Sequence, residues 1–157
     1  MERKSSGKKG GGFVALTWIE PKTDWTKDDK FNITDYNRIK NNLLYLQELA
    51  NQFYPPSKTA NLGADKTLYT EFFYADEFNA FEAHLDSLNN QTLRLNIGRR
   101  QTFYDNGVFI GFDELNRIER AQFDLYDNMR NQRDGRRMHV FALGMTEVFN
   151  GKGIIAG

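Results

Sequence analysis

The side chains here that could carry chemistry are two histidines, 21 carboxylates and 21 cationic groups, with no cysteine to act as nucleophile, thiolate ligand or disulfide partner. His84 and His139 stand far apart in the sequence, and neither belongs to an HExxH or His/Cys zinc pattern. His84 lies beside an apolar stripe and reads as a packing or surface residue; His139 falls in a strand-like stretch and reads as structural. Carboxylates are numerous enough for a two-acid glycosidase, but no pair stands out. Most of them sit at helix starts or on charged helix faces, where capping and solvation account for them. The Lys8–Gly12 stretch has the composition of a phosphate loop without the GxxxxGK[ST] spacing, and it precedes a strand pattern rather than joining strand to helix. Asn90-Gln91-Thr92 matches a glycosylation acceptor, in a chain without a secretion signal. No catalytic, cofactor-binding or metal-ligating residue is assigned, and the chain reads as non-enzymatic.

Basic residues offer a second kind of chemistry. Residues 1–12 hold four cations against one acid, a net +3, and Arg99, Arg100, Arg130, Arg133, Arg136 and Arg137 follow later, with Phe103 and Tyr104 near the first pair. Such a set could touch phosphate and stack bases. Acids interleave with it at Asp127 and Asp134, and the whole chain has a formal net charge of zero. A solvated helix end or a protein–protein salt-bridge surface is therefore the preferred reading, with nucleic-acid binding as the alternative.

The elements that must position these groups come from a phrase that occurs three times: Thr34-Asp-Tyr-Asn-Arg-Ile-Lys40, Asp76-Glu-Phe-Asn-Ala-Phe-Glu82 and Asp113-Glu-Leu-Asn-Arg-Ile-Glu119. Each reads as a helix start. Thr34, Asp76 or Asp113 supplies the cap, and Asp35, Glu77 or Glu114 places negative charge in the first turn. Asn37, Asn79 and Asn116 then either complete a short-armed capping box or reach across to another segment. Apolar residues follow at spacings of three and four: Tyr36, Ile39, Leu43, Leu46, Ala50 and Phe53 in the first copy; Phe78, Phe81, Leu85 and Leu88 in the second; Leu115, Ile118, Leu125 and Met129, with Gln122 interrupting, in the third. Three such stripes can cover one another, and packing within one chain is the simpler expectation.

The connections are too long for an up-and-down bundle with tight turns. Pro55-Pro56 ends the first helix. Thr92–Ile97 alternates as a strand does, and Asp105-Asn106-Gly107 marks a turn before Val108–Ile110, which predicts a hairpin. Phe13–Ile19 and Met138–Leu143 also look strand-like, with Gly135 and Gly144 as punctuation. The expected fold is α+β: a helical centre with peripheral strands or hairpins. Its parts are a basic Gly/Ser/Lys arm over 1–12, one structural domain over 13–150 with helices near 34–53, 76–89 and 113–130, and a tail over 151–157. The mean hydropathy of −0.67 and the lack of a run of about 18 apolar residues predict a chain that does not enter a membrane.

The stretch from Asp24 to Leu44, DWTKDDKFNITDYNRIKNNLL, resembles a segment of structural proteins from phages and prophages of Gram-positive hosts. Glu114–Glu119, ELNRIE, is similar to a helix start near the N-termini of phage tail-fibre and baseplate proteins. The resemblance implies a subunit of a virion or phage-tail-like particle, an adaptor or connector in the tail tip, baseplate or fibre-attachment region, made in the bacterial host cytoplasm. It implies partners that are other particle subunits, including copies of the chain itself in a symmetric assembly, and it carries over no catalytic residues. The basic arm and Ile154–Ala156 would serve as docking extensions.

Overall fold

The computed structural model describes residues 15–153, with side chains described as far as Arg136. The described residues form three helices: α1 (Ile33–Ala50), α2 (Ala75–Gln91) and α3 (Phe112–Gly153). Each begins two residues before the repeated phrase suggests, so Thr34, Asp76 and Asp113 occupy the second helical position instead of the cap. Asn32 caps α1 instead, accepting from the Thr34 amide at 2.8 Å, while Asp35 accepts from the Asn32 amide at 3.1 Å and closes a capping box. In α2 the acid alone reaches back, Glu77 accepting from the Tyr74 amide at 2.9 Å. Asn37, Asn79 and Asn116 are each the fifth residue of their helix, too far along to cap it.

The three apolar stripes pack against one another within the chain. Ile39, Leu43, Leu46, Leu85 and Leu125 are fully buried, together with Phe81, Leu88, Ile118 and Met129. Gln122, which interrupts the third stripe, is also fully buried and donates from Nε2 to the Ile39 carbonyl at 2.8 Å, tying α3 to α1. The helices run parallel. Their starts meet where Phe31, Phe73 and Phe109 approach one another at ring distances of 5.1 to 6.1 Å, and Tyr54, just past the end of α1, bonds Gln132 well along α3. Parallel neighbours require each connection to run back along the bundle, which is why the connections are long.

Those return segments overturn the expected α+β class. Among the described residues there is no β-strand; Thr92–Ile97 opens with a turn at Thr92-Leu93 and passes through Arg94 at φ 53, and Val108–Ile110 and the described part of Phe13–Ile19, whose first two residues lie outside the description, are irregular and unpaired. Met138–Leu143 belongs to α3, which also runs through Gly135 and Gly144; a short apolar run flanked by glycine fits helix and strand alike. The alternation in Thr92–Ile97 does report burial, since Leu93, Leu95 and Ile97 pack on the core while Arg94 and Asn96 face solvent. What replaces the neighbouring strand is a set of asparagine side chains. The Asn116 amide accepts from the Trp25 N–H at 2.7 Å and donates to the Trp25 carbonyl at 2.9 Å. Asn37 does the same to Lys66, at 2.9 and 2.8 Å, and Asn79 to Phe103, at 2.8 Å for both bonds. A carboxamide offers one acceptor and a donor in the spacing of a peptide group, so it can satisfy an extended residue as a sheet partner would. Asn42 holds Ile19 and Asn89 holds Leu95 in the same two-bond way lower in the bundle.

The pairing is cyclic. The asparagine of α1 holds the segment leading into α2, that of α2 holds the segment leading into α3, and that of α3 holds the segment leading into α1. The repeated phrase is thus the sequence mark of a pseudo-threefold unit that closes on itself.

Candidate functional site

Around this axis the position after each asparagine is Arg38, Ala80 or Arg117, and the position three after it is Lys40, Glu82 or Glu119. Arg38 on α1 reaches Glu119 on α3 with two bonds, Nε at 2.9 Å and Nη2 at 2.7 Å. The Lys22 amide and the Trp25 indole N–H complete the shell at 2.7 and 2.8 Å, so both oxygens of the fully buried Glu119 carboxylate accept two bonds. Burial works against the Arg38 charge, but Glu119 and Asp35 outweigh it and hold the guanidinium above its ordinary range. The next link repeats the design: Arg117 on α3 pairs with Glu82 on α2 and with Glu114 on its own helix. Burial pushes the Glu82 carboxyl up, while Arg117 pulls it back. Gly98 faces this pair at φ +77, and a Cβ there would lie 2.8 Å from the Arg117 side chain, so both backbone and space call for glycine. In the third link the partners are Ala80 and Lys40. Lys40, 3% exposed, turns to the Gly63 carbonyl at 3.1 Å and Asp65 at 2.5 Å.

His84 stands on α2 where α1 has Asn42 and α3 has Ala121. It is buried, its Nε2 has no hydrogen-bond partner among the described residues, and burial lowers its pKa against a backbone bond to Leu43 that raises it. A neutral imidazole inside the bundle is a packing group by surroundings. The side chain of His139 lies outside the described residues, as do residues 1–14 and 154–157 with the whole basic arm over 1–12, its Lys8–Gly12 stretch and Ile154–Ala156. Among the described residues no group of three or more His, Asp or Glu side chains could hold a metal ion, and no helix is long and apolar enough to cross a membrane.

The arginines separate into two places. Arg99 and Arg100 are exposed on the return segment into α3, near the level of Arg117. Arg130 stacks over Tyr126, Arg133 pairs with Asp134 and Arg136 stacks over Phe53, all on the far part of α3; Arg137 has no described side chain. Thirteen helical residues separate Arg117 from Arg130, about 20 Å of rise. Asn90-Gln91-Thr92 sits at the end of α2, where the Thr92 hydroxyl donates to the Leu88 carbonyl.

The surface that sequence reasoning missed lies at the end where the helices start. Leu68, Tyr69, Phe72 and Tyr74 are exposed ahead of α2, Tyr104, Val108 and Phe109 ahead of α3, and Phe112 at its first position. A hollow of about 420 Å³ opens between these two lead segments, lined by Phe73, Tyr74, Phe78, Phe103, Val108 and Phe109. A smaller one of about 190 Å³ occupies the corresponding place between the leads of α3 and α1. Between the leads of α1 and α2, Tyr36 stacks on Phe73 at 5.5 Å and the Lys66 ammonium lies over the Tyr36 ring at 4.6 Å. Aligning the three copies upstream of their helix starts would have revealed the asymmetry. The lead of α1 reads Thr26-Lys-Asp-Asp-Lys30, while those of α2 and α3 carry aromatic and aliphatic residues.

Over the described residues the class defined by this geometry is a helical unit of three parallel helices whose return segments are held by asparagine side chains. No protein-family model, curated protein or solved structure matches the chain.

Proposed function

We propose that this chain is a non-enzymatic structural subunit of a phage tail or phage-tail-like particle, an adaptor or connector in the tail tip, baseplate or fibre-attachment region, acting by packing against other protein chains. The observation that carries the reading is the exposed aromatic end. Phe72 is 73% exposed, Tyr104 74% and Val108 96%, although the fold accepts charged residues in the same place ahead of α1. Contiguous exposed apolar surface of this kind marks a site of contact with another macromolecule. The assignment to a particle rests on the resemblance read in residues 24–44 and 114–119 to segments of phage structural proteins. The polar groups best placed for chemistry are engaged inside the bundle: Glu82 and Glu119 are 1% and 0% exposed and each is paired with an arginine. A two-acid centre would need carboxylates that face each other across a space open to substrate.

Density-gradient fractionation of a lysate from a host producing the particles, with an antibody against this chain, tests the reading. The chain is expected to co-sediment with the particles. A chain confined to the light fractions of a lysate rich in particles would overturn the proposal.

A further inference from the structure

We infer that the aromatic end is a twofold self-contact, on which a second copy of this chain docks head to head. The inference rests on the reading that the chain works by packing, and it names the partner at that surface.

Its first support is a control built into the molecule. The three lead segments occupy equivalent places in the pseudo-threefold unit. In the first, Thr26–Lys30 are all exposed and all polar, which is what this loop carries when water alone covers it. In the second, Leu68, Tyr69 and Phe72 are 60%, 84% and 73% exposed; in the third, Tyr104, Val108 and Phe109 are 74%, 96% and 50% exposed. The fold therefore does not demand apolar side chains here.

Area supplies the second support. Taking about 200 Å² for each full side chain, these six residues leave roughly 800 Å² of surface open. A lone soluble chain seldom exposes an apolar patch beyond a few hundred Å². About 800 Å² per partner is what a stable complex of standard size covers. The two lead segments meet where the half-buried Phe73 and Phe109 lie 6.1 Å apart.

Shape supplies the third and selects a copy of the same chain. The turn closed by the Gly107 amide on the Tyr104 carbonyl, with Asn106 at φ 61, projects Val108 into solvent. Directly beside it is the 420 Å³ hollow floored by Phe73 and Phe78. A twofold contact needs a self-complementary face, and a projection beside a recess supplies one, because each copy can fill the other. Half of the residues lining the hollow carry aromatic rings and Asp105 is its one charged residue, so it suits an uncharged side chain such as Val108. The charged lead of α1, with Lys27, Asp28, Asp29 and Lys30, would then stand at the polar rim that such interfaces carry.

The test is the mass of the purified full chain by analytical ultracentrifugation over micromolar concentrations. The expected result is twice the chain mass of 18.3 kDa, with Val108→Asp and Phe72→Glu each weakening the dimer about tenfold or more. Far-UV circular dichroism checks that both variants keep their helices. Because the chain has no cysteine, Val108→Cys in one tagged copy and Tyr74→Cys in a differently tagged copy should oxidise to a mixed-tag disulfide in preference to either same-variant product. A monomer at every concentration, three or more copies, or a dimer indifferent to both charge substitutions would overturn the twofold contact. If the charge variants unfold, the cysteine pair decides, and absence of the mixed product overturns it. A monomer would leave the structural role standing, because that role falls only to the gradient experiment.

Discussion

At the junction of α3 with α1, a glutamate on one helix meets an arginine on the next and a backbone N–H from the return segment between them. At the junction of α1 with α2 the same three positions hold Lys40, Ala80 and a backbone carbonyl. Glu119 accepts from the Lys22 amide, while Lys40 donates to the Gly63 carbonyl. The two junctions share one backbone plan and carry opposite charges. The difference teaches that the ring of polar links need not be symmetric in sign. It requires only that each buried charge meets the peptide group of complementary polarity, because an unpaired buried charge is far more costly than either pairing. It also gives the two junctions different exposure to loss. Arg38 and Glu119 are shielded together, whereas the carboxylate facing Lys40 belongs to Asp65, whose side chain is 53% exposed.

The sharpest way to break the comparison is to remove one cation from each junction. Arg38→Ala strands the Glu119 carboxylate inside the bundle and is expected to cost about 3–5 kcal/mol of folding stability. Lys40→Ala returns Asp65 to water and frees only one carbonyl, so about 1–2 kcal/mol is expected. Urea unfolding of the two variants against the parent measures both. Equal losses would mean that the two junctions are shielded alike and that the argument from Asp65 is wrong.

The asparagines should behave as a set, because their job is the same at all three junctions. Asn37→Ala, Asn79→Ala and Asn116→Ala each delete two bonds and leave an N–H and a carbonyl of a return segment without a partner, with an expected loss of about 1–3 kcal/mol apiece. Native-state hydrogen exchange gives the local reading. The Lys66, Phe103 and Trp25 amides should lose protection in the corresponding variant and keep it in the other two. A variant that leaves its own amide protected would show that the segment is held by packing alone.

The helical part of this design is written openly in the sequence. The 42- and 37-residue spacing of Asn37, Asn79 and Asn116, and the stripes that follow, announce three similar helices, and the long connections exclude tight antiparallel turns. The return segments are harder, because local pattern reports which residues face the core but not what their backbones bond to. Leu93, Leu95 and Ile97 alternate as in a sheet, yet the partner of Leu95 is the Asn89 side chain. Period-two burial beside a helix and beside a strand look identical from the residues alone. The repeated phrase points two residues too late because it begins after the true caps: Asn32 ranks above Thr34 as a cap but lies outside the repeat, and Tyr74 is not a capping type and is overshadowed by Asp76. The charge reversal at Lys40 was visible as the one basic residue among Lys40, Glu82 and Glu119. Its meaning needed the cyclic closure that no local pattern supplies. The aromatic end was missed for a related reason: attention to helix interiors passes over the loops ahead of them.

The smallest expected effect sharpens the comparison most, because it asks whether the third junction can be rewired to match the other two. Lys40→Glu alone sets a carboxylate against the Gly63 carbonyl and the Asp65 carboxylate, and should destabilise. Ala80→Arg alone brings a guanidinium toward the Lys40 ammonium, and should also destabilise. Together they recreate the arginine–glutamate pair of the other junctions across α2 and α1, so the double variant should be more stable than the sum of its parts by about 1 kcal/mol in a double-mutant cycle. The gain stays modest because the Gly63 carbonyl, which suits a cation, remains where Glu119 and Glu82 enjoy backbone N–H donors from Lys22 and Gln101. A coupling near zero would mean that the return segment, through the peptide group it presents, fixes the charge of each junction before the helices do.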